Sequence, residues 1–241
     1  MNDSEEIGNI ECARAAVYLA PREDSRLWTT AAVWLGRDTA AGVSRQRPRL
    51  DWISDEEAAA ITAEPRRYGF HGTLKAPFAL ASGKTLAALD STLSAFAKTR
   101  KSFRVPLKVD VLEGFIALRP QDEAAALAAL ADACVETFDP FRAPSPPEDL
   151  ARRRKAALTP RQDELLIRWG YPYVFETFRF HMTLTGRLDT ARRNAVRTGL
   201  EALFDPALSE PIAFDSICLF CQPSRDAPFR LIRRHVFGDA L

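Results

Sequence analysis

A five-residue pattern that occurs twice constrains this sequence more than any other feature. Residues 70–74 read Phe-His-Gly-Thr-Leu, and residues 180–184 read Phe-His-Met-Thr-Leu. The chain has three histidines, and two of them, His71 and His181, hold the same position in the two copies. Successive side chains of a strand point to opposite faces, so each copy predicts a strand with histidine and threonine on one face and apolar residues on the other. Together the copies predict one site with a general acid, a general base and two hydroxyl donors.

The sequence after each copy is repeated as well. A helical pattern of apolar residues comes first, and two strand-like runs follow it. These segments are 84–100, 103–111 and 115–118 after the first copy, and 189–204, 212–220 and 229–236 after the second. The first strand-like run begins 32 residues after His71, and its counterpart begins 31 residues after His181. The pattern predicts an α+β fold built from a duplicated strand–helix–hairpin unit, with two halves that face each other across a cleft.

These residues resemble the 2H phosphoesterases, a superfamily of LigT-like fold that carries one His-x-Thr/Ser motif in each of two lobes. The similarity is greater still to the branch whose genes accompany carbon–phosphorus lyase in phosphonate operons, and it runs from about residue 15 to the end. The segments that carry this branch resemblance are 16–21 (Ala-Val-Tyr-Leu-Ala-Pro), 34–38 (Trp-Leu-Gly-Arg-Asp), 67–75 (Arg-Tyr-Gly-Phe-His-Gly-Thr-Leu-Lys), 139–142 (Asp-Pro-Phe-Arg) and 178–186 (Phe-Arg-Phe-His-Met-Thr-Leu-Thr-Gly).

The resemblance implies a bilobal fold with antiparallel sheets and a metal-independent cyclic phosphodiesterase without a cofactor. It implies a small phosphorylated substrate, which in a phosphonate pathway would be a ribose cyclic phosphate that carries a further phosphate. A 2′,3′-cyclic nucleotide or an RNA end is the other substrate class. The same site would also permit the reverse reaction, in which an end is joined to a hydroxyl.

Two histidines can open a cyclic phosphodiester without a metal. A neutral imidazole removes a proton from the attacking water, and an imidazolium gives a proton to the leaving oxygen. Because the ordinary pKa of histidine is about 6.5, both forms exist near neutral pH. His71 and His181 are therefore the catalytic candidates. Thr73 and Thr183 are expected to donate hydrogen bonds to the non-bridging oxygens of the phosphate.

Strand alternation names three further candidates for substrate binding. Lys75 continues the face of His71, and Arg179 and Thr185 continue the face of His181. A cation at these positions would hold a phosphate group. Tyr68 has the opposite parity and is expected to pack in the core unless a turn precedes the strand, and His235, which lacks the motif, is expected to be structural.

Two other classes of function stay open at this stage. A metal-dependent hydrolase would use the two histidines as ligands, but it would need carboxylates on the same faces, and none lies within four residues of either histidine there. A non-catalytic nucleotide-binding protein would use the imidazoles only to hold phosphate. Against this, the sequence keeps both histidines and both threonines, whereas arginine or lysine would hold phosphate equally well. We therefore expect an enzyme with no metal site.

Length and charge agree with a globular enzyme for small ligands. The chain has 241 residues, 46% of them hydrophobic, and a formal net charge of +1. Such a charge provides no long-range attraction for a duplex nucleic acid. No apolar run is long enough to cross a membrane. We expect a flexible N-terminus over residues 1–14 and one bilobal domain over residues 15–241; nothing in the sequence indicates an oligomeric state.

The four cysteines suggest no disulfide framework. Cys218 and Cys221 form a lone Cys-x-x-Cys pair within a strand-like run. With no second pair and no nearby histidine to complete a zinc site, both are expected to be buried free thiols. This predicts a cytoplasmic protein.

The segment between the two predicted lobes has no counterpart in the duplication. We assign the first lobe to residues 50–138, an insert to residues 139–170 and the second lobe to residues 171–241. The insert carries a basic cluster over residues 151–161, which is either a flap that steers phosphate or a solvated helix face, and the second is favoured. The ring-rich residues 169–175 either stack on a base or lead into the second motif strand, and again the second is favoured.

Overall fold

The computed structural model describes residues 7–239, and within this range the chain forms eleven strands and seven α-helices. The strands are β1 (Arg14–Leu19), β2 (Arg37–Asp38), β3 (Val43–Ser44), β4 (Gly72–Phe78), β5 (Phe103–Val105), β6 (Leu107–Leu112), β7 (Phe115–Pro120), β8 (Met182–Thr183), β9 (Ile212–Phe214), β10 (Ser216–Gln222) and β11 (Arg230–Val236). The helices are α1 (Arg26–Leu35), α2 (Asp55–Tyr68), α3 (Leu86–Lys98), α4 (Ala125–Phe138), α5 (Pro147–Arg154), α6 (Pro160–Trp169) and α7 (Thr190–Leu208).

The duplicated unit is confirmed. Strand β4, helix α3 and the hairpin β6–β7 repeat as strand β8, helix α7 and the hairpin β10–β11. Helix α3 begins after Thr85, whose hydroxyl accepts a hydrogen bond from the backbone of Ala88, and helix α7 begins after Asp189, whose carboxylate caps it in the same way. Such caps satisfy backbone N–H groups that have no partner within the helix.

The predicted long strand after each helix is broken into two in both halves. In the first half Pro106, which lacks an N–H group for a ladder, separates β5 from β6. In the second half Asp215 separates β9 from β10. Strands β5 and β9 pair with each other, with Phe103 opposite Phe214, so the short pieces form an antiparallel ribbon between the two halves.

The two hairpins are exchanged between the halves of the main sheet. Seven strands form this sheet in the order β11-β10-β1-β4-β8-β7-β6, and its pairs are antiparallel. Hairpin β6–β7, which follows β4 along the chain, lies beside β8, whereas hairpin β10–β11 lies on the side of β4, next to β1. The α+β class and the antiparallel pairing are as expected, but each half of the sheet combines strands from both predicted lobes. Helical connections of the length of α3 and α7 allow this exchange.

The core lies beneath the main sheet and reaches the beginning of the described chain. Leu89 and Leu93 of α3 and Val196 and Leu200 of α7 are fully buried there. Ile7 is 2% exposed and packs into the same core. The flexible N-terminus and the domain bounds stay predictions; residues 1–6 lie outside the described residues.

The expectation that Cys221 is a buried free thiol is wrong. Cys12 and Cys221 form a disulfide with their Cα atoms 5.5 Å apart, whereas Cys134 and Cys218 are buried free thiols. The antiparallel pairing of β1 with β10, in which Ala15 faces Cys221, brings the two partners together. They are 209 residues apart in sequence, so no local spacing could indicate the pair.

Candidate active site

The two motif strands meet at the centre of the main sheet. Gly72 of β4 is paired with Met182 of β8 in antiparallel register. This register sets His71 opposite Thr183 and Thr73 opposite His181, because residues on either side of a pair advance in opposite directions.

The opposite face of the two strands is closed by core residues. Met182 is fully buried, and Gly72 is packed so closely that a Cβ atom on it would lie 2.4 Å from the ring of Phe180. Since alternate residues point to opposite faces, both histidines and both threonines of the motifs lie on the other face, toward a cleft. The glycine in the first copy is thus required by the aromatic residue of the second.

Both imidazoles are held in the same way. The Nδ1–H group of His71 donates to the carbonyl oxygen of Gly69 at 2.8 Å, and that of His181 donates to the carbonyl oxygen of Arg179 at 2.7 Å. A carbonyl oxygen can only accept, so each Nδ1 carries the proton and each neutral ring has its lone pair on Nε2. Gly69 provides the turn for the first of these bonds with a φ of +80°, where a Cβ atom would lie 2.0 Å from Thr39.

The ring of His71 is also fixed on its faces. The ring of Tyr18 is stacked on it, with centroids 3.7 Å apart and an angle of 21° between the planes. The hydroxyl of Thr73 donates to Nε2 of His71 at 3.2 Å. The side chain of His181 contacts Phe115 at a centroid distance of 5.6 Å.

Burial keeps both histidines neutral. The pKa of His71 is lowered to about 4: burial lowers it most, the bond to Gly69 raises it, and the charge of the neighbouring His181 lowers it. The pKa of His181 is also lowered, first by burial and then by Arg119, while the bond to Arg179 raises it. Both imidazoles are therefore poised to accept protons in the free protein.

A cavity of about 490 Å³ lies over His71, and Thr73 and Thr183 line it. A second cavity of about 170 Å³ adjoins it, with Thr73 and His181 in its wall. Phe115 and Tyr171 line both cavities, which makes them parts of one cleft. The structure thus brings the four motif side chains around a single cleft.

Lys75 does not line the cavities that hold the histidines. Its ammonium group is buried and donates to the carbonyl oxygen of Val135 at 3.0 Å and to Asp139 at 3.1 Å. Strand β4 is irregular opposite Val17 and Tyr18 of β1, which removes Lys75 from the face of His71. The geometry favours a structural role, and substrate binding by Lys75 stays a prediction.

Arg179 and Thr185 are placed differently from each other. Arg179 lines the smaller cavity beside His181, with its guanidinium 3.7 Å from the carboxylate of Glu113. Thr185 lines the larger cavity but is buried, and its hydroxyl accepts from the backbone N–H of Ile116 and donates to the carbonyl oxygen of Gly186. Their roles in substrate binding stay predictions.

Several other cavity residues were missed or misjudged from the sequence, among them Arg14, Tyr18, Tyr68, Arg153 and Tyr171. Arg14 and Tyr18 come from β1, which pairs with β4 and so borders the site. Tyr68 was expected to pack in the core unless a turn precedes the strand, and it does pack, with its ring 5.4 Å from that of Phe229. The turn at Gly69 precedes the strand, and Tyr68 also lines the cavity, 6.4 Å from His71 between ring centroids. The parity of the motif strand does not extend through that turn.

The basic cluster of the insert is not wholly a solvated helix face. Arg154 is fully exposed and pairs with Asp163, as that interpretation expects, but Arg152 and Arg153 line the cavity over His71. The third histidine, His235, is structural as predicted: it is buried, with Nε2 2.8 Å from the carboxylate of Asp90.

Neither a metal-ligand cluster nor a membrane helix occurs in the described part of the chain. Across residues 7–239, no group of three or more His, Cys, Asp or Glu side chains is arranged to hold a metal ion. Over the same residues, every helix is too short or too polar to span a bilayer.

Comparison with known proteins identifies the family. A family model described as "Protein of unknown function (DUF1045)" matches residues 73–230, so this chain belongs to that family, which is associated with phosphonate operons.

Two curated relatives are longer proteins. Both are named ribose 1,5-bisphosphate phosphokinase PhnN. The one from Laribacter hongkongensis is 40% identical over 220 residues, which is 91% of this chain and 51% of the relative. The one from Janthinobacterium sp. is 38% identical over 221 residues, 90% of this chain and 49% of the relative. The chain therefore spans about half the length of the curated relatives it matches.

Solved structures of E. coli LigT are also similar. The complex with NADP+ is 13% identical, covers 95% of this chain and 99% of its own, and has a TM-score of 0.43. The complex with 3′-AMP is 13% identical, covers 94% of this chain and 99% of its own, and has a TM-score of 0.44.

Proposed function

We propose that this protein is a metal-independent cyclic phosphodiesterase that uses His71 and His181 as general base and general acid. The observation that carries the proposal is the register of the two motif strands. It directs two imidazoles and two hydroxyls to one cleft, with each Nδ1–H held by a carbonyl oxygen two residues earlier. This constellation suits phosphoryl transfer, in which catalysis rests on positioning, proton transfer and stabilisation of charge on oxygen.

The pKa values favour His71 as the base. A base must be neutral in the free enzyme, and the pKa of His71, at about 4, meets this condition over the whole neutral range. Nε2 of His71 accepts a proton from water as the water oxygen attacks phosphorus. The bond from phosphorus to the leaving ring oxygen breaks, and Nε2–H of His181 gives that oxygen its proton. The attacking water replaces Thr73 at Nε2 of His71, so the hydroxyl of Thr73 turns away from the ring. Thr73 and Thr183 then donate to the non-bridging oxygens, where negative charge develops.

The names of the relatives suggest a particular cyclic phosphate as the substrate. A ribose 1,5-bisphosphate phosphokinase acts on ribose 1,5-bisphosphate, and opening of 5-phosphoribosyl 1,2-cyclic phosphate at its 2-oxygen yields that compound. We therefore propose a ribose cyclic phosphate with a further phosphate as the substrate, in phosphonate metabolism. The 2′,3′-cyclic nucleotides, RNA ends, the ligation direction and a cytoplasmic location stay predictions.

The kinase activity in those names is not proposed for this chain. Residues 83–85, between β4 and α3, read Gly-Lys-Thr. In many kinases a phosphate-binding loop ends with this sequence just before a helix. The first glycine of such a loop lies five residues before the second. This chain has Phe78 at that position, so the motif is incomplete. The hydroxyl of Thr85 caps α3 by accepting from Ala88.

The test is product analysis by phosphorus NMR. The purified protein is given 5-phosphoribosyl 1,2-cyclic phosphate or 2′,3′-cyclic nucleotides in the presence of a chelator, beside the variants His71→Ala and His181→Ala. We expect ring opening that survives the chelator and is lost in both variants, but not in Arg154→Gln, which removes an exposed charge far from the chemistry. Binding without turnover would favour the non-catalytic alternative, and turnover abolished by the chelator would favour a metal site.

A further inference from the structure

One side of the cavity over His71 is unusually basic. Arg14 enters it from the first residue of β1, and Arg152 and Arg153 enter it from the last turn of α5. The three guanidinium groups come from elements that are far apart in sequence. All three line the same cavity, and the charge of Arg152 lowers the pKa of both Arg14 and Arg153.

Two of these arginines have no carboxylate partner among residues 7–239. The nearby carboxylate of Asp149 is taken by Arg152 and by Arg225, which binds it through two hydrogen bonds of 2.8 and 3.0 Å. Arg14 donates from Nε to the side-chain oxygen of Gln222 at 2.7 Å, and its terminal nitrogens form no ion pair with residues 7–239.

Arg153 makes no side-chain hydrogen bond or ion pair within the described range. Its guanidinium lies over the ring of Tyr171, 4.8 Å from the centroid. Burial lowers the pKa of Arg153 and is the largest influence on it, and the same is true of Arg14. A guanidinium remains charged at any ordinary pH, so both charges are partly desolvated without an anion. An arrangement of this kind is stabilised when a dianion enters between them.

A single side chain, Tyr68, connects the arginines of the basic side with the catalytic centre. Tyr68 is the bridge: its ring centroid is 6.4 Å from that of His71, and it lines the same cavity as Arg14 and Arg153. A ligand that reaches from the histidines to the arginines therefore passes along the edge of Tyr68. A sugar that carries two phosphates could place one at the histidines and the other at the arginines.

We propose that Arg14 and Arg153 form a second phosphate site, which binds the terminal phosphate monoester of a sugar cyclic phosphate while the ring phosphate lies between His71 and His181. This inference rests on the proposed function and deepens it, because it assigns the residues that bind the second, non-reacting phosphate of the substrate. Energy from binding the remote phosphate then holds the reacting group in line with the two imidazoles.

The kinetic test compares two substrates that differ only in the terminal phosphate, 5-phosphoribosyl 1,2-cyclic phosphate and ribose 1,2-cyclic phosphate. For Arg153→Gln and Arg14→Gln we expect kcat/KM to fall about 10- to 100-fold on the first substrate, as for loss of a charge-assisted hydrogen bond. On the second it should change less than about threefold. Arg154→Gln is the matched control, since it removes the same charge from the adjacent, exposed position of the same helix.

An equal loss on both substrates would overturn the second site and assign the arginines a structural role. No loss on either would overturn it as well.

A binding test separates this inference from the proposed function. Ribose 5-phosphate carries the terminal phosphate but no cyclic ester. We expect it to raise the melting temperature of the wild type and of Arg154→Gln, but not of Arg153→Gln, while ribose raises none of them. If the wild type opens neither cyclic substrate but still shows this pattern, the proposed function fails and the phosphate site stands. If ribose 5-phosphate and ribose act alike, the phosphate site fails whatever the turnover.

Discussion

The unusual pKa of His71 leads to a specific pH dependence of catalysis. At pH 6.5 a histidine of ordinary pKa is half protonated, whereas a pKa of about 4 leaves about 0.3% of the rings protonated. The base is therefore available down to about pH 4. The acid must be protonated, and the pKa of His181 is lowered from its usual 6.5. We expect kcat/KM to reach its maximum at acidic pH and to fall about tenfold per unit on the alkaline side.

The assay uses a 2′,3′-cyclic nucleotide, because its phosphodiester does not titrate in this range and kcat/KM then reports the free enzyme. Two variants test the cause. Arg119 lowers the pKa of His181 and Glu113 raises it, so Arg119→Gln should move the alkaline limb to higher pH and Glu113→Gln to lower pH. Circular dichroism at each pH controls for unfolding. An acid limb near pH 6.5, an optimum above pH 7, or a shift of both variants in the same direction would refute the reasoning.

Two further predictions concern the motif and the packing. Thr73→Val removes the hydroxyl that donates to His71 and should lower kcat about 100-fold, while Thr73→Ser keeps most activity; equal activities of the two variants in steady-state assays would contradict this. Gly199→Ala puts a Cβ atom 2.3 Å from the ring of Trp52 and should lower the free energy of unfolding by about 1–2 kcal/mol in urea, after the gain in helix propensity. Gly8→Ala, which meets nothing within 4 Å, is the control, and a more stable Gly199→Ala variant would disprove the close contact.

The repeated motif and its neighbours predicted much of the architecture, because local patterns determine local structure. Alternation identified the side chains that face the cleft from β4 and β8, and helical spacing identified α3 and α7. These patterns depend only on residues a few positions apart. For the same reason, alternation failed at Lys75, where strand β4 is irregular, and at Tyr68, where the turn at Gly69 intervenes.

The sequence by itself determined the duplicated α+β unit and the two pairs of candidate catalytic residues. Only the tertiary structure decided which distant residues surround them. The stacking of Tyr18 on His71, the disulfide between Cys12 and Cys221, and the meeting of Arg14 and Arg153 in one cavity all follow from contacts across long stretches of chain. The exchange of the two hairpins is of the same kind. Periodicity describes the face of one element, but it carries no information on which other element will cover that face, because pairing depends on the packing of the whole core.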